Sequence, residues 1–194
     1  MRKLLPVLAL SIAAPLLSGC FGIAATGIGA AALMVDDRRT TGIYVEDENI
    51  EWKALARIRG DFKGSHVNAT SFNRKVLLTG EVSTEQTKKA VEDAVRSIPS
   101  VREVANELAV GGNSSVTSRG NDSIITSNVK ARMVGNGKFS INHVKVVTEA
   151  GAVYLMGLVT QSEGDAAVEI ARSTSGVSRV VKVFEYVPDA PKRN

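Results

Sequence analysis

The sequence predicts an α+β protein in which one small αββαβ domain occurs twice. Two observations support this fold class: an internal repeat, and the same order of helical and strand periodicities in each copy. A third observation, an apolar leader, indicates that the two domains follow a membrane anchor. The chain has 194 residues, of which 44% are hydrophobic and 23% charged, as in ordinary folded proteins.

The repeat is clearest where Val76–Val82 (VLLTGEV) aligns with Val153–Val159 (VYLMGLV), 77 residues later. His66 and His143 keep the same offset. A period near 75 residues indicates two copies of one small domain. We place the domains at 46–110 and 122–187, with a linker rich in Gly, Ser and Asn at 111–121 and a C-terminal tail at 188–194.

Each copy begins with a helix. In copy one, Ile50, Ala54 and Ile58 recur at helical spacing. In copy two, the same spacing joins Ile125, Val129 and Met133, in a helix that we expect from Ser123 to about Val134. Two short strands with alternating apolar residues follow in each copy.

A second helix and a last strand complete each copy. Ser83-x-x-Gln86 and Thr160-x-x-Glu163 are capping-box patterns, which start a helix by satisfying its free backbone N–H groups. Alternating apolar residues resume near the end of each copy and predict a third strand. We therefore expect two domains, each a three-stranded mixed sheet backed by two helices.

The N-terminus predicts a lipoprotein signal. A positive start and the apolar run Leu4–Leu17 lead into Leu17-Ser18-Gly19-Cys20, which matches the bacterial lipobox. We expect residues 1–19 to be removed and Cys20 to be acylated; an ordinary signal peptide is the alternative. Each buried methylene contributes about 0.8 kcal/mol, so three acyl chains would anchor the protein firmly. Phe21, instead of Asp, favours the outer membrane.

Residues 20–45 are then a lipidated tether and linker. Its apolar part, Phe21–Val35, either lies against the bilayer or packs on the protein itself. The composition excludes several other classes. Removal of Arg2 and Lys3 with the leader lowers the net charge from +4 to +2, which disfavours a nucleic-acid binder. The single Cys excludes an internal disulfide.

No catalytic motif stands out, so we expect no enzyme activity, no small-molecule substrate, no cofactor and no metal. His66 and His143 are interpreted as a repeated structural position. Trp52 is expected in the core or at a domain contact. The acidic run Glu46-Asp47-Glu48 is interpreted as the usual charge bias of a helix N-terminus. Gly80 and Gly157 are expected to permit close packing of helix on sheet.

Several motifs resemble the BON domain, a small αββαβ module of bacterial envelope proteins. They are an Asp-x-x-Ile start at Asp47 and Asp122, a Gly that closes the second strand, and Val101-x-x-Val104-x-Asn106-x-Leu108-x-Val110. Two such domains behind a lipobox, preceded by Arg38-Arg39-Thr40-Thr41-Gly42, resemble the dual BON-domain outer-membrane lipoproteins linked to division and envelope stress.

The resemblance implies a lipid-anchored protein of the outer membrane that faces the periplasm. It also implies binding of anionic phospholipid through the first helix of the second domain, enrichment at the division site, and maintenance of the outer-membrane barrier. Envelope proteins are further expected partners.

The sequence of that helix is consistent with membrane contact. Two branched apolar residues lie on the face opposite its buried stripe, and basic residues flank them, as in helices that lie in a membrane interface. The first helix of copy one instead begins with acids, and the net charge is −1 over 46–110 but +2 over 119–187. The candidate lipid-binding residues are Ile124, Ser127, Lys130, Ala131, Arg132, Val134 and Lys138.

Three alternatives stay open. In the first, the apolar face of this helix packs on copy one or on another chain instead of lipid. In the second, the BON domains form a protein-interaction module of the envelope. In the third, the protein is a small haemolysin-like factor that acts on membranes through Phe21–Val35.

Overall fold

The computed structural model describes residues 36–112 and 116–189. The signal peptide, Cys20 and Phe21–Val35 lie outside the described residues, so the predictions about them stay predictions. The described residues from Arg38 onward form one compact unit.

Both domains have the expected αββαβ order. The first contains α1 (Thr41–Asp61), β1 (His66–Phe72), β2 (Lys75–Val82), α2 (Glu85–Arg96), β3 (Glu103–Asn106) and β4 (Ala109–Val110). The second contains α3 (Val116–Val134), a 3-10 turn (Ile141–His143), β5 (Val144–Glu149), β6 (Ala152–Val159), α4 (Gln161–Arg172) and β7 (Arg179–Tyr186). The α+β class is confirmed.

Each sheet is mixed, as expected. The central strand pairs antiparallel with the strand before it and parallel with the last strand of the domain. In the first domain the expected single last strand is instead two strands, β3 and β4, which both pair with β2. The Asn106 side chain explains the break, because it accepts from Leu108 N and donates to Lys88 O and to Glu92.

The first helices are longer than the sequence pattern predicts. Helix α1 begins at Thr41, where the Thr40 side chain accepts from Ile43 N. Helix α3 begins at Val116, inside the stretch whose composition predicts a linker. The acidic run Glu46-Asp47-Glu48 therefore lies beyond the first turn of α1, and its interpretation as an N-terminal charge bias was wrong.

The second helices begin with different caps. The Thr160–Glu163 capping box is present at α4. The predicted Ser83 box is not, because the N-cap of α2 is Thr84, whose hydroxyl accepts from Thr87 N. Two adjacent hydroxyl residues made the choice ambiguous from sequence.

Three hydrophobic clusters hold the fold together. One lies between α1, α2 and their sheet, and one lies between α3, α4 and theirs. The third lies between the two sheets and contains Phe72, Leu77, Ala152, Tyr154, Met156 and Val183. Because the helices cover one face of each sheet and the sheets cover each other, the unit is a four-layer α/β/β/α arrangement.

Alternation along the central strands produces this arrangement. In β2, Val76 and Leu78 face the helices, whereas Leu77 between them faces the other sheet. In β6, Val153 and Leu155 belong to the helix side, and Tyr154 to the sheet–sheet cluster. Both faces of each central strand are therefore buried, as in sheets covered on two sides.

Polar contacts at the edges also join the two domains. Lys145 Nζ lies 2.7 Å from a Glu51 carboxylate oxygen and 3.2 Å from Ser71 O. On another edge, Asn73 Nδ2 donates to Glu185 at 3.0 Å. The domains share one interface with an apolar centre and a polar rim.

Two arginines ahead of α1 each contact a different domain. Arg38 donates to both carboxylate oxygens of Glu163 and to Leu158 O in the second domain. Arg39 pairs with Asp47 in the first domain, and its guanidinium lies 3.9 Å from the centre of the Phe72 ring. This pair fixes the start of α1 to both halves of the unit.

Gly80 and Gly157 have a different role from the one expected. A Cβ on Gly80 would lie 2.0 Å from His66 O, and one on Gly157 would lie 2.3 Å from His143 O. These two carbonyl oxygens lie at the starts of β1 and β5, the strands next to β2 and β6. The glycines therefore permit close approach of neighbouring strands, not of a helix to a sheet.

Candidate functional site

The outer face of α3 carries exposed apolar residues. Ile124 is 61% exposed and Val134 is 71% exposed, although both are branched and apolar. Ile125, Val129 and Met133, on the opposite face, are at most 2% exposed because they fill the core beneath the second sheet. The helical period therefore separates a buried stripe from an exposed apolar one, as the sequence predicts.

Polar and small residues lie between the two exposed apolar side chains. Ser127, Lys130 and Ala131 are exposed on α3. Ser127 Oγ donates back to Ser123 O at 2.9 Å, so this hydroxyl is satisfied within its own helix. The outer face is thus an apolar strip with at least one ammonium group beside it.

Lys138 follows in the loop after α3. The Asn136 side chain shapes this loop, because its oxygen accepts from Lys138 N at 2.7 Å and from Phe139 N at 3.1 Å. Lys138 itself is exposed at the C-terminal end of the helix. A second exposed basic residue therefore follows the apolar strip in the chain.

Arg132 has a structural role that the sequence did not indicate. Its guanidinium donates to Ile170 O, to Thr174 Oγ1 at 2.7 Å and to Ser173 Oγ at 3.0 Å. Arg57, its counterpart in the first domain, donates to Ala94 O and Ser97 Oγ in the same way. Arg132 thus fastens α3 to the C-terminal end of α4, although the residue itself is exposed and its predicted contact with lipid stays a prediction.

The equivalent face of α1 has another character. Trp52 lies on it and is 73% exposed, so the expectation that it is buried in the core or at a domain contact was wrong. Glu48 and Glu51 lie next to it on the helix. The two first helices therefore present chemically different surfaces: apolar with bases on α3, and aromatic with acids on α1.

The structure also brings together three residues that sequence spacing did not connect. His66 Nδ1 lies 2.9 Å from Glu81 Oε2 and 3.9 Å from Glu149 Oε1, across the domain interface. The available signal was one carboxylate in each of two mainly apolar strands, β2 and β5. Only the packing of the two sheets places both carboxylates beside one imidazole.

Among the described residues, no helix is both long enough and apolar enough to cross a membrane.

Comparison with known proteins identifies the domains. The BON domain model matches residues 46–112 and 121–188. The chain is 38% identical over 174 residues to Outer membrane lipoprotein DolP of Haemophilus influenzae, covering 88% of this chain and 90% of that protein. It is 32% identical over 154 residues to the 21 kDa hemolysin of Actinobacillus pleuropneumoniae, covering 78% and 79%.

A more distant relative is Osmotically-inducible protein Y of Escherichia coli, at 27% identity over 144 residues and 72% of each chain. The family description and these names point to a non-catalytic envelope protein. Two matched domains and the similarity to DolP along most of both chains place this protein. The chain belongs to the dual BON-domain outer-membrane lipoproteins.

Proposed function

We propose that this lipoprotein binds anionic phospholipid through the outer face of α3 and thereby helps to maintain outer-membrane integrity, with enrichment at the division site. The observation that carries the proposal is the exposure of Ile124 and Val134 on one face of α3, at 61% and 71%. Soluble helices normally turn branched apolar residues inward, so an apolar strip on the outside suits an interface.

Charge supports the anionic preference. Lys130 lies beside the strip and Lys138 follows it. A base near an anionic membrane surface contributes about 1 kcal/mol, so these two give a modest preference for charged lipid. Such a contact suffices for a protein anchored through Cys20, because the anchor already raises the local concentration of the helix at the membrane.

Vesicle flotation of residues 36–194, which lack Cys20, tests the proposal. We expect this fragment to float with vesicles that contain phosphatidylglycerol and to float less with phosphatidylethanolamine alone. Ile124→Asp and Lys130→Glu should each reduce flotation. Asn49→Asp is the matched control, because Asn49 occupies on α1 the position that Ile124 occupies on α3.

The lipid proposal fails if the fragment shows no preference for anionic vesicles. It also fails if Ile124→Asp floats as well as the unaltered fragment, or if Asn49→Asp lowers flotation equally, since the latter would make any added charge sufficient.

Docking of an envelope protein is a second candidate function, and the exposure of Trp52 favours it. Tryptophan is enriched among the residues that dominate protein–protein binding energy. Crosslinking in intact cells before and after Trp52→Ala tests it: loss of a crosslinked protein, with flotation unchanged, would assign partner binding to α1.

A lytic function is suggested by the name of the 21 kDa hemolysin. It would depend on Phe21–Val35, which lies outside the described residues. Lysis of red cells by the purified lipidated protein, abolished by deletion of that stretch, would support it.

A further inference from the structure

We propose that His66, Glu81 and Glu149 bind a divalent transition-metal ion, of which zinc best suits the ligands, at one end of the interface between the two domains. One possible ligand atom from each side chain lies within 4.8 Å of the others. The separations of His66 Nδ1 from the two carboxylates, 2.9 Å and 3.9 Å, bracket the roughly 3.3 Å between ligands of a tetrahedral zinc site.

The backbone of both sheets fixes the positions of the three residues. His66 begins β1 and lies directly across the antiparallel ladder from Glu81 in β2. Glu149 is the last residue of β5, in the other domain. Because the two sheets pack face to face, Glu149 already lies beside the other two residues and no loop has to move.

Burial distinguishes this group from ordinary surface acids. Glu81 and Glu149 are each only 7% exposed. Asn68 Nδ2 donates to Glu149 Oε2 at 3.0 Å, so Oε1 is the oxygen nearer His66. Two buried carboxylates and an imidazole this close together present three ligand atoms to one divalent ion.

The internal repeat supplies a comparison within the same chain. At the offset of 77, the positions of His66, Glu81 and Glu149 correspond to His143, Leu158 and Phe72. Copy two thus keeps the histidine but has an apolar residue at the position of Glu81, and copy one has an apolar residue at the position of Glu149.

Two arginines lie at the corresponding end of the interface, where each is paired with a carboxylate. There Arg38 donates to Leu158 O, and Arg39 lies over the Phe72 ring. The two positions that depart from the repeat, Glu81 and Glu149, both place a carboxylate beside His66. Arg119 and Asp122 line the cleft next to them.

The donor set selects the type of ion. An imidazole nitrogen with two carboxylate oxygens suits zinc, whereas magnesium and calcium prefer sites made entirely of oxygen. A surface cleft lined by His66, Asn68, Thr126 and Glu149, among others, borders the group. An ion held there would link the first domain to the second.

Zinc titration of the full chain in detergent micelles, stripped with a chelator beforehand, tests the site. We expect zinc to compete with a chromophoric chelator for the protein and to raise its melting temperature, because the ion binds only the folded state. His66→Gln and Glu149→Gln should each weaken zinc binding by about tenfold or more. His143→Gln, at the corresponding position of copy two, should leave it unchanged, and magnesium should not substitute.

Circular dichroism shows whether each variant folds. If His66→Gln or Glu149→Gln does not fold, zinc binding by a third variant, Glu81→Gln, tests the site instead. The proposal is overturned if the stripped chain binds no zinc in competition with the chelator. It is equally overturned if a folded His66, Glu81 or Glu149 variant binds zinc as tightly as the unaltered chain, or if His143→Gln removes the binding.

Discussion

Arg38 forms a bidentate ion pair with Glu163, with N–O distances of 2.6 and 2.9 Å. The same Glu163 carboxylate accepts from Thr160 N at 2.8 Å and completes the capping box of α4. One side chain therefore both starts a helix of the second domain and holds the segment that precedes the first domain.

This arrangement predicts a dependence of stability on acidity. Burial alone would raise the pKa of Glu163, but the hydrogen bond from Arg38, that from Thr160 N and the nearby positive charges outweigh it, so the pKa is lowered. A lowered pKa gives stability that is present above the ordinary value and is lost as the pH falls through the folded value. We expect the free energy of unfolding to decline below about pH 4.

Glu163→Gln should remove part of that decline and cost about 1 kcal/mol at neutral pH, since the pair is only partly buried. Urea denaturation between pH 3 and about pH 7 measures both effects. Glu169→Gln is the control, because the Glu169–Arg172 pair is well exposed. A Glu163→Gln protein with an unchanged pH profile would contradict the assignment.

Asp47 predicts an unequal effect of one mutation made in each repeat. Its buried carboxylate accepts from Ser71 Oγ, Asn73 N and Arg74 N in the first hairpin turn, and from Arg39. Asp122, its counterpart, accepts only from Ala150 N and Gly151 N among the hydrogen bonds that the structure shows in the described residues.

Asp47→Ala should therefore cost about 3–5 kcal/mol, because it removes the carboxylate paired with Arg39 and the acceptor of two backbone N–H groups, one buried and one partly buried. Asp122→Ala should cost less, about 1–3 kcal/mol. The midpoints of urea unfolding for the two variants measure the difference. Equal losses would mean that Arg39 adds nothing to the first site.

Gly80 and Gly157 predict steric destabilisation of different sizes. Gly80→Ala would force a Cβ against His66 O and would also place alanine at a φ of 109°. Gly157→Ala meets the His143 carbonyl without a positive φ. We expect both to cost at least about 2 kcal/mol, with Gly80→Ala the more damaging.

Gly60→Ala is the control, because nothing lies within 4 Å of its Cβ position and Gly60 is inside α1. It should stabilise the protein by up to about 1 kcal/mol through helix propensity. Thermal melts of the three variants test the order, and a stable Gly80→Ala protein would refute the close approach of β1 and β2.

Leu77 predicts that the two domains unfold together. It is 1% exposed and lies in the sheet–sheet cluster rather than in the core of its own domain. Leu77→Ala should cost about 2–5 kcal/mol and lower the melting temperature of both domains. Differential scanning calorimetry should show one transition before and after the change. Two separate transitions in the unaltered protein would show that the interface does not couple the domains.

The sequence predicts each domain well because each local signal agrees with the fold. The spacing of Ile125, Val129 and Met133 fixes which face of α3 is buried, and so it also identifies Ile124 and Val134 as outward. The cap of α2 was misplaced by one residue because Ser83 and Thr84 are both suitable caps.

The relation between the domains was harder to predict. The nearly continuous apolar run Ala152–Val159 already indicates a strand buried on both faces, but a single-domain pattern does not say what covers the second face. Trp52 was misassigned for a related reason: a large aromatic in a small domain suggests the core, and only its position on α1 shows that it points outward.

The four-layer arrangement gives this molecule two sides. The helical layers lie on opposite outer surfaces, with both sheets between them, and a planar bilayer can touch only one of these surfaces at a time. In the proposed binding mode, with α3 on phospholipid, Trp52 on the other helical layer would face away from the membrane. Duplication of the domain has thus left two outer surfaces of different chemistry, one apolar with bases and one aromatic with acids.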